Sequence, residues 1–533
     1  MRGRQAAIAG FFAACLIASP ALAQKSGGTL RLPLRDQPAT ASIHEESTIS
    51  ANMPFMGVFN NLVFFDPTAK INAPDKIVPE LATSWSWNDQ KDRLTFKLRE
   101  GVKWHDGKPF TSKDVLCTFR EVAGLDKPTG EDSMRRNPRK IWYQNVADIT
   151  ANGDFEVTFV MRAPEPSFPS MLAAGYSPVY PCHVPARVMR SKPIGTGPFK
   201  LVEIKRNESV KLVRNPDYWN KGKPYLDAIE WTIVTDRSTR MLAFTSGKFD
   251  MTFDSDVTFP LLTDVQSQAP KAICEARPTN VTNNLIINRD APPFDNAKIR
   301  LAMAMSLDRK AFIDILSQGH DKIGTALLPP PEGLWGMPTE MLAELPGYGA
   351  DVEKNRAEAR KVMEGLGYSA SNPLKIKVAT RNIAVYRDPA VILIDQLKAI
   401  HIAGELDPVD TAVWFSKIAR KDYQVGLNLT GGGVDDPDVN FFENYSCGSE
   451  RNYTGYCNKE VDELIKAQSR ELDVDKRKKL VWDIERKLVE DVARPIISHN
   501  VANTCWHPWL KGLVLQQNSI YNSWRFENIW LDR

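Results

Sequence analysis

Residues 96–111 read FKLREGVKWHDGKPFT, and this stretch predicts a strand, a turn and the start of a helix, in that order. Leu94, Phe96 and Leu98 alternate with polar residues, as expected for a half-buried strand. The WHDG segment that follows supplies an Asp and a Gly, which favour a turn. Thr111 then precedes apolar residues at helical spacing, so a helix is predicted to begin there.

The rest of the first half shows the same alternation of apolar and polar residues. It recurs within 155–159 and 229–233, and both segments are predicted to be half-buried strands. The first half is therefore expected to be a strand-rich α+β assembly.

The second half is dominated by helical patterns. Helices are predicted near 297–318, 352–366, 390–400 and 473–490, with short β-branched runs such as 374–378 between them. This alternation favours an α/β lobe with a mixed or parallel sheet. No repeat of 20–50 residues is present, which argues against solenoids and propellers.

The N-terminus has the pattern of a cleavable signal peptide. The basic segment 1–4 precedes an apolar stretch over 6–17 and small residues at 21–23. The apolar stretch is shorter than the roughly 20 residues that span a bilayer. Residues 1–23 are therefore excluded from the fold and the mature chain is expected in the periplasm. Cys15 lies inside the apolar stretch, so a lipoprotein anchor is not favoured.

Length and charge narrow the function further. Without the signal, 510 of the 533 residues remain, which is too many for one core and predicts two or three domains. The chain has 68 Lys and Arg against 65 Asp and Glu. This near balance argues against a nucleic-acid-binding protein, which would carry a basic surface.

Six of the seven cysteines follow the signal. Cys447 and Cys457 are predicted to form a disulfide, because they flank a short polar loop in a chain that is exported to an oxidising compartment. The other four cannot be paired from spacing: Cys117, Cys182, Cys274 and Cys505. The sequence has no Cys-x-x-Cys and no histidine pair at ligand spacing, so no metal site is expected.

Six blocks carry a family resemblance over nearly the whole mature chain. They lie at 27–30, 77–85, 96–111, 193–199, 214–219 and 295–300. Together they resemble family 5 of the bacterial extracellular solute-binding proteins, the dipeptide- and oligopeptide-binding class. The block at 96–111 followed by GTGP at 195–198 is the most specific combination.

The resemblance implies an α/β fold of the periplasmic-binding-protein type: bilobed, type II, of the large class with an extra inserted domain, and hinged between its lobes. Lobe I is expected to consist of 24–60, 190–279 and 500–533. The inserted domain is expected at 61–189, lobe II at 284–498, and the crossings near 279–288 and 496–505. Two lobes joined by two crossings can close on a solute by hinge motion.

The resemblance also implies a function. Such a protein is the substrate-binding component of an ABC importer, a monomer that delivers its solute to an inner-membrane permease and its ATPase subunit. It needs no cofactor. The expected solutes are short peptides or peptide-like small organic compounds. The alternative is a non-peptide solute such as an opine, an oligosaccharide or a metal chelate, and a secreted interaction or chaperone-like protein is a more distant alternative.

Catalytic motifs do not support an enzyme. No Gly-x-Ser-x-Gly elbow, His-Glu-x-x-His or Ser-x-x-Lys occurs in a setting that fits its chemistry. The GTGP segment lacks the spacing and the lysine of a phosphate-binding loop. The chain is therefore expected to bind its substrate without converting it.

The segment 429–438, LTGGGVDDPD, bears on ligand identity. In the peptide-binding class a segment of the form Gly-Trp-x-x-Asp-x-x-x-Pro carries an aspartate that pairs with the ammonium group of the peptide. Counting back from Pro437 places Gly433 where that aspartate would be. This difference bears directly on whether the solute is a peptide.

Two interpretations of this segment stay open. Gly431, Gly432 and Gly433 could let the backbone approach a ligand, or they could form a flexible turn that enters a helix. Asp435 or Asp436 could supply the missing charge, although Asp436 could equally cap a helix that has proline at its first position.

A carboxylate-binding arginine is expected on the other side of the ligand. Arg381 follows the strand-like segment 376–379, in a position that resembles the carboxylate-binding arginine of the peptide-binding class, and a guanidinium group suits a carboxylate. Tyr386 and Arg387 are rivals in a loop before a helix that is expected near Pro389. A solvated loop arginine is the alternative.

Two further cleft candidates follow from their position alone. The segment 35–37, which contains Arg35, is one of them. Trp414 is the other, since exposed aromatic rings stack on ligands, but Trp414 could equally belong to the core.

Overall fold

The computed structural model describes residues 24–127, 129–519 and 524–533. The predicted signal peptide lies outside these residues. Within them the chain forms two four-stranded sheets, one five-stranded sheet and two small two-stranded sheets, with helices packed against them. This mixed α/β architecture agrees with the predicted fold class.

The strands are β1 Thr29–Leu34, β2 Val63–Phe65, β3 Ile77–Pro79, β4 Ala82–Trp87, β5 Arg93–Leu98, β6 Val146–Ala151, β7 Glu156–Met161, β8 Phe199–Lys205, β9 Ser209–Arg214, β10 Ala228–Ile233, β11 Ile273–Ile287, β12 Leu374–Arg381, β13 Ile402–Val409, β14 Val425–Gly431, β15 Ile496–Trp506, β16 Leu510–Lys511 and β17 Trp530–Leu531. The α-helices are α1 Ile49–Phe55, α2 Ser112–Ala123, α3 Phe168–Ala173, α4 Ala186–Met189, α5 Arg237–Thr245, α6 Phe259–Gln268, α7 Ala297–Met305, α8 Arg309–Ser317, α9 Thr339–Leu342, α10 Val352–Gly365, α11 Ala384–Leu397, α12 Thr411–Ala419, α13 Pro437–Asn444, α14 Lys459–Arg470 and α15 Val474–Glu490.

The N-terminal sheet has the order β1-β10-β9-β8. β1 pairs in parallel with β10, and the other two pairings are antiparallel. Leu30, Leu32 and Leu34 of β1 are completely buried. Because these leucines anchor β1 in the core, the positions of Arg35 and Asp36, which follow directly after β1, are fixed relative to the sheet.

The block at 96–111 folds as predicted. β5 contains Leu94, Phe96 and Leu98 and belongs to a second four-stranded sheet with the order β4-β5-β7-β6. α2 begins directly after Thr111, whose backbone N–H donates a 3.0 Å hydrogen bond to the Asp114 carboxylate. Such reciprocal capping of the first turn specifies where a helix begins.

The central sheet is mixed, with the order β13-β12-β14-β11-β15. β12 runs parallel to both β13 and β14, whereas β11 is antiparallel to β14 and β15. The carboxyl ends of β12, β13 and β14 therefore lie at one edge of the sheet. In open α/β sheets, ligands bind outside the carboxyl ends of the strands.

β11 and β15 are long strands that pair side by side over most of their length. Their register is interrupted between Pro278 and Thr282. At one end Cys274 faces Cys505, and the two form a disulfide. The two strands connect the central sheet to the segments that pack on the N-terminal sheet, since Met251 and Val257 form isolated bridges with β15.

Two of the predicted helices differ from expectation. The helix expected over 297–318 is broken into α7 and α8, because Asp308 caps the start of α8 by accepting a hydrogen bond from the Ala311 N–H. α11 begins at Ala384, five residues before Pro389, although a start near Pro389 was expected. Pro389 thus lies inside α11, beyond its first turn, where it removes one backbone hydrogen bond of the helix.

All six cysteines of the mature chain are bonded. Cys447 pairs with Cys457, Cys117 with Cys182, and Cys274 with Cys505. The last two pairings could not have been read from spacing, because their partners are 65 and 231 residues apart. Of the helices in the described residues, none is long and apolar enough to cross a membrane.

Candidate functional site

An ion pair joins the end of β1 to the end of β12. Asp36, two residues beyond β1, places its Oδ2 atom 2.5 Å from Nη2 of Arg381, the last residue of β12. Both side chains are buried. The pair therefore links the N-terminal sheet to the carboxyl edge of the central sheet.

Further hydrogen bonds fix this pair. The Thr411 hydroxyl, just after β13, donates to Asp36 Oδ2 at 2.8 Å and accepts from Arg381 Nη2 at 3.1 Å. Arg381 Nη1 donates to the Tyr386 hydroxyl at 3.1 Å, and Ser50 donates to the other oxygen of Asp36. Burial alone would raise the pKa of Asp36, but Arg381 and Arg35 hold it below its usual value.

Arg35 carries a buried positive charge without a hydrogen-bonding partner among the described residues. Its side chain is 6% exposed, and no hydrogen bond or ion pair from another described residue reaches its guanidinium group. The nearest aromatic group is the ring of Phe253, whose centroid lies 4.8 Å away. Burial and the neighbouring Arg381 charge lower the pKa of Arg35. Arg35 and Arg381 thus share one carboxylate, that of Asp36, and leave one positive charge in excess.

A cavity of about 300 Å³ lies on the other side of Thr411. Its lining comes from residues of 39–48, residues of 135–138, Arg190, one face of α12, and Glu450 with Tyr453. The cavity therefore lies where distant parts of the chain meet. Its volume falls at the small end of the range for ligand pockets.

Glu46 is the unusual charged group in the cavity wall. It is 8% exposed, and among the described residues no side chain forms an ion pair or a hydrogen bond with its carboxylate. Burial raises the pKa of Glu46 to about 8, against the opposing effects of the Ser47 backbone hydrogen bond and of Arg381. The carboxyl group is therefore largely protonated at neutral pH in the absence of a positive partner.

A network of buried charged residues contacts the backbone at Glu46. Glu443 of α13 pairs with Arg451 and lies 3.5 Å from Arg139 Nε. Arg139 in turn donates a 2.8 Å hydrogen bond to the backbone oxygen of Glu46. This contact holds the backbone of residue 46 against the segment that precedes β6, and so fixes where its side chain points.

The three glycines link β14 to two other parts of the chain. Gly431 ends β14 opposite Val281, and the Gly432 N–H donates a 3.1 Å hydrogen bond to Asn280 Oδ1. The Gly433 oxygen accepts a 2.6 Å hydrogen bond from Ser519, and Gly433 has a φ of +86°. Residues that carry a side chain rarely adopt a backbone φ of this sign, which accounts for the glycine at position 433.

The two aspartates after the glycines have protein partners. Asp436 caps α13 and pairs with Arg477 at 2.9 Å, while Pro437 begins the helix, in agreement with the capping interpretation. Asp435 Oδ2 accepts a 2.8 Å hydrogen bond from the Leu334 N–H, and burial raises the pKa of Asp435 to about 6. Neither residue lines the 300 Å³ cavity.

Two of the predicted cleft residues lie elsewhere. Trp414 is completely buried in a hydrophobic cluster with Ile418 and donates to Asn428 at 3.4 Å. Thr411 and Phe415 line the cavity, but Trp414 lies on the opposite face of α12, as the helical period requires. Arg387 lies on the exposed surface of α11, not in a loop, where it donates to Asn382 at 3.4 Å.

The structure thus brings Arg35, Arg381 and Tyr386 together around Asp36. Sequence reasoning missed Glu46 and Thr411, and included Asp36 only as a member of the 35–37 segment. No local pattern singled out Thr411, which stands between Asp410 and the apolar residues of α12. Glu46 lies in a run of polar residues that is typical of a solvated loop, and no local pattern indicates its burial.

Comparison with known proteins gives the family. The family model described as bacterial extracellular solute-binding proteins, family 5 Middle, matches residues 76–452. A probable di/tripeptide-binding protein 5 of Pseudomonas aeruginosa is 26% identical over 490 residues, which cover 87% of this chain and 88% of that protein. Heme-binding protein A of Haemophilus influenzae is also 26% identical, over 91% of this chain and 89% of its own length.

Solved structures share the fold. The dipeptide binding protein from Pseudoalteromonas sp. SM9913 in complex with Met-Leu superposes with a TM-score of 0.82 at 20% identity, over 95% of this chain and all of that one. AgaA of A. tumefaciens R10 in complex with agropinic acid has a TM-score of 0.82 at 22% identity, over 95% and 99% of the two chains. Since the family model covers most of its length, this chain belongs to family 5 of the bacterial extracellular solute-binding proteins, which bind substrates and are not enzymes.

Proposed function

We propose that this protein is the substrate-binding component of an ABC importer that closes on a small carboxylate-bearing solute beside the Asp36–Arg381 pair. In this proposal lobe I comprises 24–60, 190–279 and 500–533, the inserted domain 61–189 and lobe II 284–498. Asp36 then belongs to lobe I and Arg381 to lobe II. Their contact marks the closed form, in which the solute is shielded from water.

The unpaired guanidinium group of Arg35 carries this proposal. A buried charge is costly unless a group of opposite charge pairs with it. Asp36 already pairs with Arg381, so a carboxylate brought by the solute is the missing partner of Arg35. Planar guanidinium groups bind carboxylates with two parallel hydrogen bonds, which adds geometric selectivity.

The size of the cavity favours a small solute. About 300 Å³ is sufficient for a compound of the size of a dipeptide or tripeptide. A relative of this chain is named a probable di/tripeptide-binding protein, which supports a short peptide or a peptide-like organic compound.

A non-peptide solute is the second candidate. Gly433 stands where the peptide-binding class carries its ammonium-binding aspartate, and the positive φ of Gly433 fits no aspartate without strain. AgaA, a structural neighbour, was solved with agropinic acid. A carboxylate on such a compound would suit Arg35 equally well.

The remaining parts of the proposal concern the partners. The closed protein would deliver its solute to an inner-membrane permease whose ATPase subunit supplies the energy, and this chain would act as a periplasmic monomer without catalytic activity or cofactor. The predicted signal peptide and the family support this placement.

The proposal is tested by identifying the solute and then removing Arg35. The protein is purified from periplasm, examined by native mass spectrometry and denatured to release any bound compound, which is then titrated calorimetrically. Arg35→Gln should weaken binding of a carboxylate compound by roughly 30-fold or more, since one partner of a buried charge pair is lost. Arg387→Gln, a matched change on the exposed surface of α11, should leave the affinity unchanged. Equal affinities of the Arg35→Gln variant and the unmodified protein would contradict the proposal.

A further inference from the structure

Ion pairs join two of the three arginines to two of the three glutamates in the wall of the 300 Å³ cavity, which leaves Glu46 and Arg135 without a partner among the described residues there. Arg190 pairs with Glu45 at 2.9 Å, and Arg136 pairs with Glu450. The side chain of Arg135 is exposed to solvent, where screening weakens its influence.

Glu46 differs from the other acidic groups because it is buried without a positive partner among the described side chains. Asp36 and Arg381, the nearest charged groups on the far side of Thr411, satisfy each other. The cavity therefore contains one carboxyl group that can pair with a positive charge from outside the protein.

Aromatic and hydroxyl groups complete this part of the wall. Phe415 and Tyr453 line the same cavity, and aromatic rings attract cations. Each ring already has one guanidinium group near it, that of Arg381 at 5.6 Å from Phe415 and that of Arg494 at 5.7 Å from Tyr453. Ser47 and Thr48 add hydroxyl oxygens that can accept hydrogen bonds from an ammonium group. This combination of a carboxylate, aromatic faces and hydroxyl acceptors is suited to a protonated amine.

The acidic residues that the sequence offered for this role are engaged elsewhere. Asp436 caps α13 and pairs with Arg477, and one oxygen of Asp435 holds the Leu334 backbone. Glu46 is on a different segment from both, on the side of the cavity that precedes α1. The positive end of the solute would therefore lie against the N-terminal segment and not against the glycine run.

We propose that Glu46 is the counter-ion for a protonated amine of the solute, which occupies the cavity between the segment 39–48 and α12. This inference rests on the proposed function and extends it. The amine of the solute would pair with Glu46 in the cavity wall, and its carboxylate would reach past Thr411 to Arg35, which does not itself line the cavity. The solute class is thus a small zwitterion. The residue that selects for the amine would then lie outside the segment 429–438, which corresponds to the ammonium-binding segment of the peptide-binding class.

The test compares solutes that differ only in the amine. The full chain, purified from periplasm and freed of bound compounds, is screened by thermal shift against dipeptides and tripeptides, their N-acetylated counterparts, agropinic acid and a disaccharide. Compounds that bind are titrated calorimetrically. The same titrations are made with Glu46→Gln and with Asp435→Asn, which removes an equivalent charge at the glycine run and serves as the matched control.

The proposal expects free peptides or other amines to bind and their acetylated forms to fail. Glu46→Gln should weaken binding by roughly 30-fold or more and should abolish the distinction between free and acetylated compounds, whereas Asp435→Asn should change the affinity by less than about threefold. Glu46→Asp, which keeps the charge, should retain the distinction between free and acetylated compounds, and this separates loss of charge from a disturbed fold.

Each contrary outcome has a separate meaning. If a compound binds the unmodified protein and the Glu46→Gln variant equally, or if Asp435→Asn causes the loss, the role of Glu46 is overturned while the proposed function stands. A co-purified solute without a positive group would overturn it in the same way. If no compound binds and none co-purifies, the proposed function is overturned together with this inference.

Discussion

Asp36 and Arg381 are 345 residues apart in sequence, yet Oδ2 of one lies 2.5 Å from Nη2 of the other. Few contacts of this chain connect residues so distant through buried charges. Because each charge is buried, removal of one partner leaves the other without compensation.

Asp36→Ala should therefore destabilise the protein strongly. Breaking a buried ion pair from one side costs about 3–5 kcal/mol. Chemical denaturation followed by circular dichroism measures the free energy of unfolding. Asp388→Ala is the control, because Asp388 also pairs with an arginine of the N-terminal part, Arg237 at 3.6 Å, but is half exposed. A loss of less than about 1 kcal/mol is expected there, and equal losses for the two variants would contradict the prediction.

Glu46 should make stability depend on pH. Its pKa is raised by burial from 4.5 to about 8. A group whose pKa is raised in the folded state contributes stability that is fully present below its unfolded pKa and is lost as the pH rises through its folded pKa. Between about pH 4.5 and 8 the unmodified protein should therefore lose stability relative to Glu46→Gln. Thermal unfolding of both proteins at pH 5 and pH 8 checks this, and a constant difference between them would refute it.

Arg35→Met should stabilise the protein in the absence of solute. Replacing a buried charge that has no hydrogen-bonding partner with an apolar side chain removes the cost of its burial. Replacement of whole buried ion pairs by apolar residues stabilises proteins by up to about 1–4 kcal/mol, and a gain of this order is expected here. The same variant should fail to bind a carboxylate compound. Denaturation without solute and calorimetry with solute measure the two effects, and a loss of stability would mean that Arg35 has a structural partner.

The disulfide between β11 and β15 should contribute more stability than the one next to α13. A cross-link restricts the unfolded chain more when it closes a longer loop. For separations of 231 and 10 residues the loop-entropy relation gives about 5 and about 3 kcal/mol. Replacing Cys274 and Cys505 together with alanine should therefore lower the free energy of unfolding more than the double replacement of Cys447 and Cys457. The reverse order would contradict the entropic account.

Local patterns predicted much of the fold. The alternation of Leu94, Phe96 and Leu98 and the cap at Thr111 gave β5 and α2, because strand and helix starts depend on residues close in sequence. The break between α7 and α8 was missed, since the apolar period continues across Asp308.

The site was predicted less well because its properties depend on distant contacts. Arg381 and Arg35 were proposed from their position and remain predictions, and the contact of Asp36 with Arg381 depends on β1 and β12 meeting in space. Trp414 was assigned to the cleft because no sequence signal distinguishes the two faces of α12. The burial of Glu46 follows from segments distant in sequence that close around it, and its own neighbours in sequence are polar.

The interrupted pairing of β11 and β15 has a mechanical consequence. The register of the two strands shifts between Pro278 and Thr282, and strands bend at such irregularities. The covalent link from Cys274 to Cys505 keeps one end of this ribbon from separating. We therefore expect any bending between the proposed lobes to be concentrated at this irregularity, with the cross-linked end moving as one piece, so that Asp36 and Arg381 can meet again each time the protein closes.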